Sequence, residues 1–189
     1  MIIHVLSCGN IKNLRKCICK KLYCTNCISN NKNEQCKKEC FLFNNDKNTL
    51  TSFFQISKFP LPKNFEAKIH FIKVDMIRAG ITFDTNIINE KDYAIDSPPY
   101  NIYYQGAIKF YDYKKGWLNH FNLGKIKDGD NLIIKIMDGK LQFLLNNQFN
   151  DKYYPLKNDE INGKDMYLLI HRRNETANCE LEYIYDLSD

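Results

Sequence analysis

The chain lacks long hydrophobic runs and the glycine motifs of several common enzyme classes. No stretch approaches the roughly 18 apolar residues that a membrane-spanning helix needs, so no membrane segment is expected. Its eight glycines never form the GxGxxG or GxxxxGK patterns that bind nucleotides. A Gly-x-Ser-x-Gly hydrolase turn is missing as well. The sequence therefore gives no indication of a membrane protein, a nucleotide-dependent enzyme of these classes or a serine hydrolase of this type.

A secretion signal is also missing, and a net positive charge is found only in the N-terminal part of the chain. The first nine residues, MIIHVLSCG, have no basic start and no cleavage site, so we expect an intracellular, cytoplasmic protein. Residues 1–50 contain nine Lys/Arg and three Asp/Glu, whereas residues 51–189 contain 18 and 19. Because metal-bound thiolates would offset part of the N-terminal charge, nucleic acid is not the expected partner.

Candidates for catalysis are few. The four histidines do not cluster in the sequence. Glu180 and Glu182 alternate with Leu181, Tyr183 and Tyr185, which predicts a strand with the glutamates on its solvated face and the other three residues in the core. This favours an ordinary surface over the paired carboxylates of a glycosidase. We therefore predict no catalytic residue and no organic cofactor, and the interpretation leans away from an enzyme.

Cysteine, in contrast, is concentrated near the N-terminus. Seven of the eight cysteines lie between residues 8 and 40, and Cys179 stands alone. With one histidine they form four close pairs: His4/Cys8, Cys17/Cys19, Cys24/Cys27 and Cys36/Cys40. Eight ligands satisfy two tetrahedral zinc ions, and a segment of about 40 residues needs metal to fold. We predict two structural Zn²⁺ ions, with one zinc and spare cysteines as the alternative. A redox pair or a disulfide framework would need a βαβ setting or secretion.

The spacing of these ligands resembles that of a B-box zinc finger. It reads His-x3-Cys-x8-Cys-x-Cys-x4-Cys-x2-Cys-x8-Cys-x3-Cys, and the stretch CICKKLYCTNC is similar to the centre of that family's motif. The resemblance implies that the first and third pairs share one zinc and that the second and fourth pairs share the other. A RING finger is the rival interpretation, because it uses the same crossed pairing and tolerates a one-residue gap in its second pair.

The rest of the sequence predicts strands and no helix. Residues 43–64 are interpreted as a linker that ends near Pro60 and Pro62. From Phe65 onward, apolar and polar residues alternate with the period of a strand, and further strands are predicted at 79–83, 101–105, 107–113, 165–172 and 178–185. Residues 116–121 are predicted as a loop. We therefore expect a zinc-binding module at 1–42, a linker at 43–64 and an antiparallel β-sandwich at 65–189.

The clearest single element is a hairpin at residues 131–146. Asp138-Gly139 is a strong signal for a two-residue type I′ turn. This turn pairs Met137 with Lys140 and sets the register of the remaining residues. The predicted pairs on the apolar face are Ile136/Leu141, Ile134/Phe143 and Leu132/Leu145.

Residues 123–147, from Leu123-Gly to Asn147, resemble the core of a SPRY domain, with a Gly-Asp step into one strand, a turn and a second strand. Tyr154-Pro155-Leu156 and the segment 78–83 (RAGITF) are similar to other parts of that family. The resemblance implies a concanavalin A-like jelly roll. Together with the B-box it implies a relation to tripartite-motif proteins, in which the sandwich loops bind a protein or peptide and the chain serves as an adaptor in ubiquitin ligation.

Aromatic residues near the Pro98-Pro99 loop and the only tryptophan are the candidate contacts for such a partner. They are Tyr100, Tyr103, Tyr104, Trp117 and His120. Two alternative functions stay open at this point: a minimal RING-type E3 ubiquitin ligase with the sandwich as its substrate receptor, and a carbohydrate-binding sandwich.

Overall fold

Alternating apolar and polar residues form strands throughout the described parts of the chain. A computed structural model describes residues 14–17, 22–24, 41–43, 53–83, 100–103, 107–112, 116–148, 151–156, 163–172 and 175–188. Side chains are described within residues 55–83, 123–148, 151–156, 163–172 and 175–188. No helix within these ranges has the length and hydropathy to cross a membrane.

The strands of the described residues fall into two sheets of seven. In chain order they are β1 (Leu14–Cys17), β2 (Leu22–Cys24), β3 (Phe41–Phe43), β4 (Phe53–Ser57), β5 (Phe65–Lys73), β6 (Ile77–Thr82), β7 (Tyr100–Tyr103), β8 (Ala107–Asp112), β9 (Gly116–Asn122), β10 (Asn131–Met137), β11 (Lys140–Leu145), β12 (Tyr154–Pro155), β13 (Tyr167–Arg172) and β14 (Asn178–Asp186). Sheet 1 has the order β12-β11-β10-β5-β14-β1-β2, and sheet 2 has the order β3-β4-β13-β6-β7-β8-β9.

The two sheets pack face to face through one apolar core. Sheet 1 contributes the alternate residues of β5, from Phe65 to Phe71, and sheet 2 contributes Ile77, Ala79 and Ile81 of β6. The intervening residues of β5 are not buried, which is the pattern of a strand with one face in the core. Neighbouring strands are antiparallel throughout the described residues. The predicted all-β antiparallel sandwich is therefore confirmed.

The predicted hairpin is confirmed residue by residue. Its register pairs Met137 with Lys140 and Ile134 with Phe143, as the two-residue turn requires. Asp138 and Gly139 have φ angles of 51° and 70°, which are the left-handed values of a type I′ turn. The apolar face of the hairpin is buried, because Leu132, Ile134 and Phe143 are at most 1% exposed.

The predicted core face of β14 is wrong in its second half. A register shift between Leu181 and Tyr183 inserts one extra residue opposite β5. After this bulge the alternation changes phase, so Ile184 joins Leu181 in the core cluster. Tyr183 and Tyr185 pair with Lys68 and Glu66, and they therefore lie on the outer face of sheet 1, where Tyr185 is nevertheless buried.

The structure also differs from the prediction at residues 116–121. The sequence predicted a loop here, but these residues form most of β9, which pairs with β8. The segment does not alternate between apolar and polar residues, because Trp117 and Leu118 are adjacent, and the strand also contains a register shift after Asn119. A bulged strand loses the period-two signal from which strands are predicted.

Strands from the first 57 residues belong to the two sheets. β1 pairs with β14 and so extends sheet 1 beyond the part of the chain assigned to the sandwich. β4 lies inside the segment 43–64 that was interpreted as a linker, and it pairs with β13. β3 pairs in turn with β4 and forms an edge of sheet 2.

Candidate functional site

Four connections meet at one end of the sandwich. They are residues 74–76 between β5 and β6, 123–130 between β9 and β10, 146–148 after β11, and 175–177 before β14. Side-chain hydrogen bonds link each of them to a neighbour in the same group. We call this group of connections the loop end.

Asp128 fixes the first of these connections. Its Oδ1 accepts the Val74 N–H at 2.7 Å, and its Oδ2 accepts a hydrogen bond from Lys73 Nζ at 2.9 Å. The Val74 N–H, followed by the Lys73 ammonium, holds the pKa of Asp128 below its ordinary value. The hydrogen bond and charge of Asp128 raise the pKa of Lys73 in turn. Both groups thus favour their charged forms, although each is exposed and partly screened by water.

Asp130 and Asn146 fasten the next two connections together. Asp130 Oδ2 accepts the Lys127 N–H at 2.7 Å, and its Oδ1 accepts a hydrogen bond from Asn146 Nδ2 at 2.8 Å. Asn146 Oδ1 accepts the Asn131 N–H at 2.8 Å. Asn146 and Asn147 have φ angles of 51° and 58°, and asparagine tolerates this left-handed conformation better than most residues. Specific side-chain hydrogen bonds therefore hold the connection 123–130 to the connection 146–148.

The β5–β6 turn carries exposed apolar side chains on this rigid support. Met76 is 40% exposed and has a φ angle of 50°, and Ile72, close by on β5, is 42% exposed. A left-handed backbone is uncommon for a bulky residue and persists only where its surroundings enforce it. Asp128 provides that constraint on one side, and Thr176 Oγ1 donates to Asp75 Oδ2 at 2.6 Å on the other.

A second group of polar residues covers the outer face of sheet 1. The Tyr183 hydroxyl donates to Glu66 Oε1 at 2.9 Å, and burial together with that carboxylate raises the pKa of Tyr183. Lys68 Nζ and Glu182 Oε2 form an ion pair at 2.9 Å. Glu182 is thus paired with a cation on this face of the sheet.

The predicted partner-binding residues do not form one cluster along the backbone. Tyr103 pairs with Arg78, near the start of β6 and so close to the loop end. Tyr100 pairs with Ile81, towards the opposite end of β6. Trp117 and His120 lie on β9, where Trp117 pairs with Tyr111. Tyr104 lies outside the described residues.

The predicted zinc ligands fall mostly outside the described residues. This applies to His4, Cys8, Cys19, Cys27, Cys36 and Cys40. The backbones of the other two are described: Cys17 ends β1 and Cys24 ends β2. In the part of the chain that the structure describes, no group of three or more His, Cys, Asp or Glu residues could hold a metal ion.

Cys179 is a separate case. It lies in β14 and packs against the apolar core, partly buried. This burial raises the pKa of its thiol to about 12. The thiolate is the form that binds metals and attacks electrophiles, so the environment of Cys179 favours an inert structural role.

The loop end was missed by the sequence analysis because its residues come from four separate parts of the chain. One signal was present. A short polar turn between two predicted strands contains an isolated methionine, in the sequence VDMI at 74–77. The contacts of Asp128 and Thr176 with this turn depend on strand pairing across more than 50 residues, and no local pattern predicts them.

Comparison with known proteins identifies the fold. The SPRY domain of human HERC1 is similar to this chain with a TM-score of 0.51 and 11% identity, over 80% of this chain and 91% of that chain. The carbohydrate-binding module CBM66 from Bacillus subtilis matches with a TM-score of 0.48 and 9% identity, over 78% and 96% of the two chains. Sheep galectin-11, solved with glycerol, matches with a TM-score of 0.41 and 10% identity, over 68% and 93%.

Of these three similarities, the first supports a SPRY-like β-sandwich, and at such low identity it concerns the fold alone. No protein-family model and no curated protein matches the chain.

Proposed function

We propose that this chain is a protein-interaction module whose loop end recognises a protein or peptide and whose cysteine-rich segment binds two structural Zn²⁺ ions. The observation that carries the first part is the β5–β6 turn, which presents Met76 and Ile72 to solvent on a fixed backbone. Exposed apolar side chains that are already ordered lose little entropy on binding, which makes them effective anchors at protein interfaces.

The surroundings of the turn support the same proposal. Charged and polar groups flank it, among them Lys73, Asp75 and Asp128. An apolar centre with a polar rim is the usual composition of a recognition surface for proteins. The SPRY-like fold agrees with this proposal, because the sequence resemblance to tripartite-motif proteins implies recognition through the sandwich loops.

Selection from a random peptide library tests this proposal directly. The full chain, purified with zinc, is expected to enrich a convergent apolar sequence. In calorimetry, Met76→Glu and Ile72→Glu are each expected to weaken binding of the selected peptide by about tenfold or more, because a carboxylate replaces an apolar contact.

Tyr153→Glu is the matched control for these variants. Tyr153 is also exposed, at 40%, but its ring lies beside Lys140, the first residue of β11. The loop end lies beyond the last residue of that strand. This variant is expected to bind the peptide as the parent does. An equal loss in all three variants, or no convergent peptide, would contradict the proposal. Specific binding on a glycan array would favour the carbohydrate-binding alternative, and zinc-dependent ubiquitin-chain formation would favour the ligase.

The zinc part rests on the ligand spacing, and the register of β1 and β2 supports it. Leu14 pairs with Cys24, and Cys17 lies three residues further along β1. At about 3.3 Å per residue, the two cysteine backbones are roughly 10 Å apart along the hairpin. Two sulfurs on one tetrahedral zinc lie within about 4 Å of each other. Cys17 and Cys24 therefore suit different ions, as the resemblance to a B-box implies.

Elemental analysis of the reduced, purified chain is the test of this part. We expect about two zinc ions per chain, because eight ligands fill two tetrahedral sites. Cys24→Ser removes one thiolate and is expected to lower the zinc content. Cys179→Ala, which leaves the eight predicted ligands intact, is expected to retain it. A zinc content near zero in the parent chain would disprove the metal site.

A further inference from the structure

The two strands at one edge of sheet 1 come from the cysteine-rich part of the chain. β14 pairs along most of its length with β5, but it pairs with β1 only through Tyr185 and Asp186. β2 follows β1 at the edge of the sheet. β1 and β2 contain four and three residues, and Cys17 and Cys24 end them. A hairpin of this length is not stable through its hydrogen bonds alone, so something else must hold it in place.

Tyr185 is shielded from water at this edge of the sheet. It pairs with Glu66, which puts it on the outer face of sheet 1, yet it is only 7% exposed. Its ring stacks on Tyr183 with centroids 4.3 Å apart and an angle of 12° between the planes. This stack covers one side of the ring. On the other side of the strand, the residue paired with Tyr185 is Cys17 of β1.

The short β1–β2 hairpin and the buried Tyr185 are neighbours in the sheet. An aromatic residue on the outer face of an antiparallel sheet ordinarily keeps contact with water, and it is buried only where another part of the chain covers it. The neighbour of Tyr185 is a short strand that ends at a predicted zinc ligand. A structural zinc site supplies much of the free energy that folds a small metal-binding segment, so bound metal is able to fix a hairpin of this size.

We infer that Zn²⁺ bound by the cysteine-rich segment holds the β1–β2 hairpin against β14. The metal thereby stabilises the edge of sheet 1 beside Tyr185 against local opening. The inference rests on the zinc part of the proposed function. The cysteine-rich segment is then not an independent module attached to a sandwich. It supplies edge strands of the sandwich, and metal occupancy controls the local stability of β14.

Hydrogen exchange of the full chain, followed by mass spectrometry under reducing conditions, tests this inference. Removal of zinc with a chelator is expected to accelerate exchange of the backbone amides at 183–186 by about tenfold or more, because local opening at this edge becomes easier. The β10–β11 hairpin lies on the other side of β5 in the same sheet, and its exchange is expected to stay unchanged. Cys24→Ser is expected to accelerate exchange at 183–186 without a chelator.

Cys179→Ala is the control, because Cys179 lies in β14 itself but outside the predicted ligands. This variant is expected to keep the zinc dependence of exchange at 183–186. Zinc binding without any change at 183–186 would overturn the inference, and so would an equal acceleration of the β10–β11 hairpin, which indicates global unfolding. A chain that binds no zinc would overturn it as well. Failure to select a peptide at the loop end would leave it intact and would concern only the partner.

Discussion

Replacement of Phe65 by alanine is expected to lower the free energy of unfolding by about 3–5 kcal/mol, the usual cost of deleting a buried aromatic ring. Phe65 is fully buried and begins β5, where it pairs with Ile136 of β10 and Asp186 of β14. The cavity would therefore open where three strands of sheet 1 meet the core. Natural domains are stable by only about 5–15 kcal/mol. A large fraction of the molecules of this variant is therefore expected to be unfolded at moderate denaturant concentrations.

Phe59→Ala is the matched control for this prediction. Phe59 is 36% exposed, and its ring lies 5.9 Å from Lys58 Nζ, so its removal opens no cavity in the core. Urea unfolding of the chain purified with zinc, followed by circular dichroism, measures both variants. We expect Phe59→Ala to cost less than about 1 kcal/mol. A loss for Phe65→Ala as small as the one expected for Phe59→Ala would show that the core does not depend on the ring of Phe65.

The parts of the fold that the sequence predicted correctly are those in which local chemistry and packing agree. The β10–β11 hairpin is the best example. Asp138-Gly139 fixes the turn through its left-handed backbone, and the apolar residues on one face fix the register. A slip by one residue would bury Lys135 and expose Ile134. Both requirements can be read from 16 consecutive residues, so no long-range information was needed.

The parts that the sequence did not predict involve irregular strands or distant partners. The bulge after Leu181 moves Tyr183 and Tyr185 to the outer face of sheet 1. No residue type in this stretch indicates a bulge. β9, which contains Trp117, also has a bulge, and its adjacent apolar residues Trp117 and Leu118 give no period-two signal. Both bulges adjust a strand to its neighbours, so their positions depend on the sheet as a whole.

The loop end could not be predicted from the sequence for the same reason, because it depends on residues that are distant in the chain. Each of its fastening residues is an ordinary loop residue when read alone: Asp128 and Asp130 precede a strand, and Asn146 follows one. Their roles arise when the sheet brings Val74 within reach of Asp128. The residues predicted as partner contacts were instead chosen for being aromatic, and the backbone distributes Tyr100, Tyr103 and Trp117 among different positions of sheet 2.

Replacement of Ser57 by alanine is the second large effect that we expect, at about 1–3 kcal/mol, because it leaves a buried backbone donor without an acceptor. Ser57 is the last residue of β4 and is fully buried. Its Oγ accepts the Leu168 N–H at 3.0 Å and donates to the Phe59 C=O at 2.9 Å. The hydroxyl therefore replaces a backbone partner at the point where the chain leaves sheet 2.

This prediction separates a buried hydroxyl from an exposed one. Thr176→Val deletes the hydroxyl that donates to Asp75 at 2.6 Å, but Thr176 is exposed, so water can take its place. Its cost is expected to be less than about 1 kcal/mol for this reason. Urea unfolding gives the two free energies, and hydrogen exchange at Leu168 identifies the cause, since the unpartnered N–H is expected to lose protection. Equal costs for the two variants, or unchanged protection at Leu168, would mean that the Ser57 hydroxyl does not satisfy this donor. If the expected difference is found, a residue within the segment 43–64, which was interpreted as a linker, contributes directly to the stability of the sandwich.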